Sequence, residues 1–346
     1  MLLLGERARL RGRGRGLSSG LGIPPVDSAL EASISACLDD VEARLLAAVK
    51  SDDAILSESS RHLAQAGGKR FRPMLTLLAA GFGDIDAPKV VPAAVVVELT
   101  HVGTLYHDDV MDEAQLRRGG PSANARWGNS VAILTGDFLF ACASDLLADL
   151  GAESVRIQAR TFQRLVHGQL HETLGPRDGE DAVAHYLSVL SDKTASLIAA
   201  STRLGALHAG VDASQVEVLG QFGERIGMAF QLADDLLDIA GSERLSGKTP
   251  GTDLREGVAT LPVLYARRAA RPGDERLLSL ISGPVVDDAD HAEALELLRA
   301  HPAMAEASAD VRRWADDARA TLDALPDLPA RAALHALCDS VVTRMS

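Results

Sequence analysis

The chain has 346 residues, enough for one large domain or two ordinary ones, and its 47% hydrophobic content can build a substantial core. A formal net charge of −13 excludes a general nucleic-acid surface and leaves the basic residues to serve particular anions. Aromatic residues are only 3%, alanine and leucine abound, and alternating β-branched runs are scarce, which predicts an all-α fold.

Residues 1–25 stand apart, with Arg7, Arg9, Arg11, Arg13 and Arg15 set among glycines and leucines. They read as a disordered basic extension ahead of a helical domain over 26–346. The apolar start covers only residues 1–4 and no long hydrophobic stretch follows, so neither a secretory signal nor a membrane span is expected. Cys37, Cys142 and Cys338 are far apart and form no Cys-x-x-Cys pair, which fits buried thiols in a reducing cytoplasm.

From Val26 onward apolar residues recur at helical spacing. The pattern predicts a helix over 26–50 capped by Asp27 or Ser28, then one over 55–66 closed by Gly67-Gly68, with a new helix after Pro73. A long amphipathic element over 90–113 ends in an acidic cluster, after which Gly119-Gly120-Pro121 forces a loop. Helices follow over 130–150, 154–173, 181–208 and 213–240, then a polar loop over 241–257. Residues 260–344 are again helical, with breaks at Pro272-Gly273 and over 326–329. No fixed-period repeat and no low-complexity linker divides the chain.

Two acidic clusters carry the chemistry: Asp108-Asp109-Val110-Met111-Asp112 and Asp234-Asp235-Leu236-Leu237-Asp238. On a helix the first and last aspartate of each project from nearly one face, about 6 Å apart. Carboxylates at that spacing repel one another and call for a counter-cation, and oxygen-only ligands suit Mg²⁺ completed by substrate phosphates. One cluster alone reads equally well as a solvated face, but two copies argue against chance. The spaced ligands and turn glycine of an EF-hand are missing, which counts against calcium.

The first stripe extends upstream through Thr104 to His101, and the second holds Gly227, Phe230, Asp234 and Asp238, with Gln231 beside it. Gly227 would admit another backbone or a chain-like ligand. Cations stand where anions need them. Gly67-Gly68-Lys69-Arg70-Phe71-Arg72-Pro73 forms a glycine-started turn before a helix, Arg117-Arg118 follows the first cluster, Lys193-Thr194 sits mid-chain, and Lys248 follows the second cluster.

In this order of motifs the chain resembles the trans-isoprenyl diphosphate synthases, the polyprenyl synthetase family. The likeness runs from about Leu63 to Pro262 through Gly-Gly-Lys-Arg-Phe-Arg-Pro, His-Asp-Asp-Val-Met-Asp, Leu-Arg-Arg-Gly, Thr-Gly-Asp, Lys-Thr, Phe-Gln-Leu-Ala-Asp-Asp-Leu-Leu-Asp, Gly-Lys-Thr-Pro-Gly-Thr-Asp-Leu-Arg-Glu-Gly and Thr-Leu-Pro. It implies a single-domain orthogonal helical bundle with a central cavity, across which Asp108, Asp109 and Asp112 face Asp234, Asp235 and Asp238 and bind three Mg²⁺ on an allylic diphosphate. Arg117, Lys193, Thr194, Gln231 and Lys248 would contact that diphosphate or its metals, whereas Lys69, Arg72, His101 and Arg118 would hold isopentenyl diphosphate. Arg70 is given a supporting role and Asp137 a buried hydrogen-bonding one. Val258 follows Gly257 where the family often carries lysine, so Lys193 and Lys248 must bear more of the allylic diphosphate.

The resemblance implies head-to-tail condensation, with the leaving pyrophosphate as the base. Gly103 and Thr104, about one turn before Asp108, are small and leave the floor of the cavity open to a growing tail. The expected product is therefore a medium or long all-trans polyprenyl diphosphate, as in quinone side chains, ahead of a geranylgeranyl or farnesyl product. A terpene cyclase would not need the isopentenyl site, and a silent regulatory subunit would have lost acidic residues. The resemblance also implies a homodimer joined near the first motif, cytoplasmic or peripheral to a membrane, without an integral membrane segment.

Overall fold

The structure is a computed structural model that describes residues 26–241 and 250–344. The helices are α1 (Ser28–Ala48), α2 (Ala54–Gln65), α3 (Phe71–Ala80), α4 (Val90–Met111), α5 (Ala123–Trp127), α6 (Asn129–Leu150), α7 (Ala152–Leu174), α8 (Ala182–Leu190) and α9 (Ser196–His208), with a π-turn (Ser191–Ala195) joining the last two. They continue as α10 (Ala213–Ala240), α11 (Thr252–Glu256), α12 (Leu261–Ala269), α13 (Glu275–Leu280), α14 (Asp288–Ala300), α15 (Pro302–Thr321) and α16 (Pro329–Thr343). Two short strands, β1 (Leu116–Arg117) and β2 (Gly120–Pro121), pair between α4 and α5. The expected all-α class holds, and the basic extension over 1–25 lies outside the described residues.

The chain divides into two compact units. The first, within 26–158, 200–217 and 326–336, is built around α4, whose apolar residues run almost all round the helix and are accordingly buried. α1, α3 and α6 pack against it, with Leu45, Leu63, Val95, Leu99, Val102, Tyr106 and Leu139 in the core. Tyr106 uses its polar end as well, since its hydroxyl donates to Ser59 O and accepts from Leu63 N at 3.2 Å, tying α2 to α4. The second unit, 159–199, 218–325 and 337–344, holds most of α10, along with α12 packed on α15 and α8 packed on α12. Buried Tyr265 of α12 donates its hydroxyl to Asp310 of α15.

Several boundaries depart from expectation for local reasons. Asp27 is the cap of α1, accepting from Leu30 N at 2.8 Å. α3 starts at Phe71, ahead of Pro73, because Arg70 takes the left-handed conformation (φ 50°) that turns the chain into the helix. The expected loop at 119–121 is a hairpin in which Leu116 faces Pro121 and Arg117 faces Gly120. Its turn residues Arg118 (φ 54°) and Gly119 (φ 78°) both have the positive φ that two-residue hairpins favour. The polar loop contains α11, and the expected single helix over 181–208 is interrupted by the π-turn. α4 and α6 are long and apolar enough to cross a bilayer by length and composition, but 67% of the α4 window is buried inside the protein, as in a core helix. The three cysteines are free, Cys37 and Cys338 buried and Cys142 half-buried.

Candidate active site

Both acidic clusters sit at helix C-termini, the first in the last turn of α4 and at its cap, the second in the last two turns of α10. There the helix dipole already presents partial negative charge, so the carboxylates add to an unfavourable field that a cation would relieve. Within each cluster the helix turns the middle aspartate inward. Asp109 is fully buried and accepts from Arg117 Nε at 2.5 Å, while its other oxygen is buried without a hydrogen-bond partner. Burial raises its pKa against the pull of Arg117. Asp235 accepts from Gln231 Nε2 at 2.9 Å and from the Tyr186 hydroxyl, and burial pushes its carboxyl up to about 6.

The outer aspartates are more open. Asp108 is half-buried and Asp112 exposed in the first cluster, and Asp234 and Asp238 are half-buried in the second. Arg344, near the end of the chain, lies 3.4 Å from Asp234 and over the Phe230 ring, and Asp238 accepts from Asp253 N at 3.2 Å. Among the described residues no three acidic, histidine or cysteine side chains converge on one point. Mg²⁺ is held through one or two carboxylates and otherwise by phosphate oxygens and water. The all-oxygen donors and the orphaned oxygen of Asp109 fit such an ion.

In the first unit Arg72, His101 and Arg118 form one electropositive group. Burial, followed by Arg72 and Arg118, drives the His101 pKa well below its usual value, so the imidazole is neutral. Burial, with the added push of Arg118, lowers Arg72 to about 10 against the opposing pull of Glu98, and its Nε is buried without a partner. Arg118 donates through Nη1 to Leu63 O at 2.8 Å and to Gly67 O at 2.6 Å, which fixes the turn that carries exposed Lys69. Arg70 faces the other way, into the core. It donates to Glu42, to Glu98 at 2.6 Å and to Ala64 O at 2.7 Å, as a supporting residue would.

In the second unit Thr194 Oγ1 donates to Gln231 Oε1 at 3.2 Å, so a continuous chain of hydrogen bonds links Thr194, Gln231, Asp235 and Tyr186. Lys193 pairs with Glu172. Lys248 lies outside the described residues, and Val258 is exposed. Tyr186, Glu172 and Arg344 had no motif to reveal them. They lie 49, 21 and 110 residues from their partners Asp235, Lys193 and Asp234.

One expected role changes, and one position gains a packing constraint. Asp137 is not buried. Its neighbour Gly136 is the residue that faces α4, 3.1 Å from Gly103 O at the Cβ position, so Asp137 turns outward with a 60% exposed side chain 3.3 Å from His107 Nε2. Gly103 is small for a packing reason, because a Cβ there would lie 2.9 Å from the Phe140 ring of α6. Thr104 is half-buried and its hydroxyl donates to His101 O at 2.8 Å. Gly103→Phe should destabilise the fold by about 1–3 kcal/mol or more through overpacking, whereas Thr104→Phe should fold and shorten the product. Thermal unfolding and mass analysis of products check the two arms.

An all-α protein with carboxylates gathered at two helix C-termini and separate groups of phosphate-sized cation partners has the parts of a metal–diphosphate enzyme. The polyprenyl synthetase family profile matches residues 53–298. A nonaprenyl diphosphate synthase from Mycobacterium tuberculosis is 51% identical over 324 residues, covering 93% of this chain and 97% of that protein. A geranylgeranyl pyrophosphate synthase from Corynebacterium glutamicum, solved with calcium and isoprenyl diphosphate, is 46% identical with a TM-score of 0.83 over 92% of this chain and 98% of the other. A decaprenyl diphosphate synthase from Rhodobacter capsulatus is 35% identical with a TM-score of 0.83, covering 92% and 99%. The chain belongs to the polyprenyl synthetase family. Its chemistry is prenyl transfer, and its relatives support the function of a medium- or long-chain polyprenyl diphosphate synthase.

Proposed function

We propose that the chain condenses isopentenyl diphosphate with an allylic diphosphate in a Mg²⁺-dependent reaction that yields a product longer than farnesyl. The observation that carries this reading is the pair of acidic clusters at the C-termini of α4 and α10, each with one inward, hydrogen-bonded aspartate and two more open ones. Asp108, Asp112, Asp234 and Asp238 would hold the ions. Asp109 and Asp235 would join or orient them through Arg117 and Tyr186. Bound Mg²⁺ supplies neutralisation of the charge that develops on the departing diphosphate.

The protein side chains do the rest. Arg117, Lys193, Thr194, Gln231 and Lys248 bind the allylic diphosphate and accept its growing charge with preorganised donors. Lys69, Arg72, neutral His101 and Arg118 fix isopentenyl diphosphate so that its double bond lies near the allylic carbon. A carbon–carbon bond forms there as the allylic carbon–oxygen bond breaks, and the proton lost from the isopentenyl unit passes to the released pyrophosphate. Thr104, beneath Asp108, leaves room for the tail. The protein acts as a homodimer at the cytoplasmic side of the membrane or free in the cytoplasm. The exposed Ile133 and Leu134 on α6 support a second copy packing there.

Purified protein given isopentenyl and farnesyl diphosphates with Mg²⁺ should release pyrophosphate and form all-trans products beyond farnesyl, and excess chelator should abolish turnover. Cyclisation without consumption of isopentenyl diphosphate, or no turnover with intact folding, would overturn the reading.

A further inference from the structure

The π-turn between α8 and α9 spans Ser191–Ala195 and carries Lys193 and Thr194, the residues assigned above to the allylic diphosphate. A π-turn adds one residue to a helical turn and is a departure that tertiary contacts must hold in place. Its defining bond runs from Ser196 N to Ser191 O, and the Ser196 hydroxyl donates to Asp192 O at 2.6 Å, the carbonyl an α-helix would give to the Ser196 backbone N–H. Two neighbours crowd it. A Cβ at Gly168 of α7 would lie 2.6 Å from Lys193 N, and one at Gly227 of α10 would lie 2.8 Å from Ala195 Cα. Gly227, read from the sequence as a site of close approach, therefore admits a backbone.

Arg164 of α7 closes over the start of this turn. Its Nε donates to Asp192 Oδ1 at 2.7 Å, and its Nη2 donates to Ser191 O at 2.9 Å and to Ser191 Oγ at 2.8 Å. The fork also grips Glu224 of α10 in bidentate fashion, at 3.0 and 2.5 Å, and Ser191 Oγ donates to the same carboxylate at 2.9 Å. One guanidinium thus bonds both a backbone carbonyl and a side chain of the turn while anchored to a neighbouring helix. A flexible ammonium could not satisfy that geometry.

We propose that Arg164 is a positioning residue for prenyl transfer: by clamping Ser191 and Asp192 to Glu224 it holds the π-turn open, so that Lys193 and Thr194 keep the register needed to meet the allylic diphosphate. Closing the turn to α geometry would shift the helical register by one residue and rotate the side chains on one side of it by about 100° relative to the other, taking Thr194 off Gln231. Arg164, Asp192 and Glu224 are 35%, 24% and 29% exposed, so the network contributes modestly to global stability and its loss registers locally.

The inference rests on the assignment of Lys193 and Thr194 above, and the test separates the two. In the full chain, Arg164→Met should raise the KM for the allylic diphosphate on the order of tenfold with the KM for isopentenyl diphosphate within about twofold. Without substrate, amide hydrogen exchange over 191–196 should quicken on the order of tenfold while α10 amides stay protected. Arg164→Lys, which keeps the charge and loses the fork, should recover stability and only part of that protection. If Arg164→Met does not fold, the paired variant Arg164→Gln with Glu224→Gln removes the unpaired carboxylate and should still exchange fast over 191–196. Unchanged exchange there in a folded variant, or equal changes in both KM values, overturns the proposal. A wild-type protein that consumed neither diphosphate would remove the functional reading, and the exchange arm would still decide whether Arg164 holds the turn.

Discussion

Replacing Asp112 with alanine is expected to lower turnover on the order of 10³-fold while leaving the melting temperature unchanged or slightly raised. Asp112 is the exposed C-cap residue of α4, one turn after Asp108, and both carboxylates face the negative end of the helix dipole. Without a cation it is a liability for the fold, because it also raises the pKa of Asp109 by repulsion. In the proposed reading, with a cation and a diphosphate present, the same charge would be part of the ligand set. Asp109→Ala should behave differently, since it strips a buried partner from Arg117 and lowers stability together with activity. Product formation and thermal unfolding of the two variants give the comparison. If Asp112→Ala stayed within about twofold of wild-type turnover, the outer aspartates would not be the cation ligands.

The sequence was most legible where an element is long and its chemistry local. α10 begins and ends at Ala213 and Ala240 as its periodicity indicates, and the Asp27 cap is visible three residues before the amide it serves. The π-turn was not legible, because apolar residues continue through 181–208 on both sides and one added residue leaves the composition of a helix unchanged. What holds that turn comes from α7 and α10, 27 and 33 residues from Ser191, and no spacing rule reaches that far. The packing constraint on Gly103 was out of reach for the same reason, since it comes from a ring on α6. Asp137 failed because its orientation depends on which neighbour faces α4. The acidic clusters were legible as a pair, but their division into inward and open carboxylates required Arg117, Gln231 and Tyr186 to be placed around them.

Glu98 illustrates a residue whose weight appears only in three dimensions, and its replacement carries the second large expected effect. In sequence it is a lone acid on the apolar helix α4. In the structure it is 2% exposed and accepts from Arg70 Nη1 at 2.6 Å, and its charge also favours the protonated forms of Arg72 and Arg118. Arg70 in turn sits in the left-handed conformation that starts α3, a position a non-glycine residue holds at a cost of about 1–2 kcal/mol. Glu98→Gln keeps the shape and removes the charge, leaving Arg70 with only Glu42 as a charged partner among the bonds described and leaving Arg72 and Arg118 to repel each other. Breaking one buried partner of this kind costs about 3–5 kcal/mol, so the melting temperature should fall on the order of 5–10 °C. The KM for isopentenyl diphosphate should rise while that for the allylic substrate moves little, because the disturbed cations are those assigned to the isopentenyl site. Arg70→Met combined with Glu98→Gln should cost less than the two single changes together, since the second change no longer strands a buried charge. Thermal unfolding of the four proteins measures that coupling, and a Glu98→Gln protein as stable as wild type would show that Glu42 and solvent balance Arg70 without it.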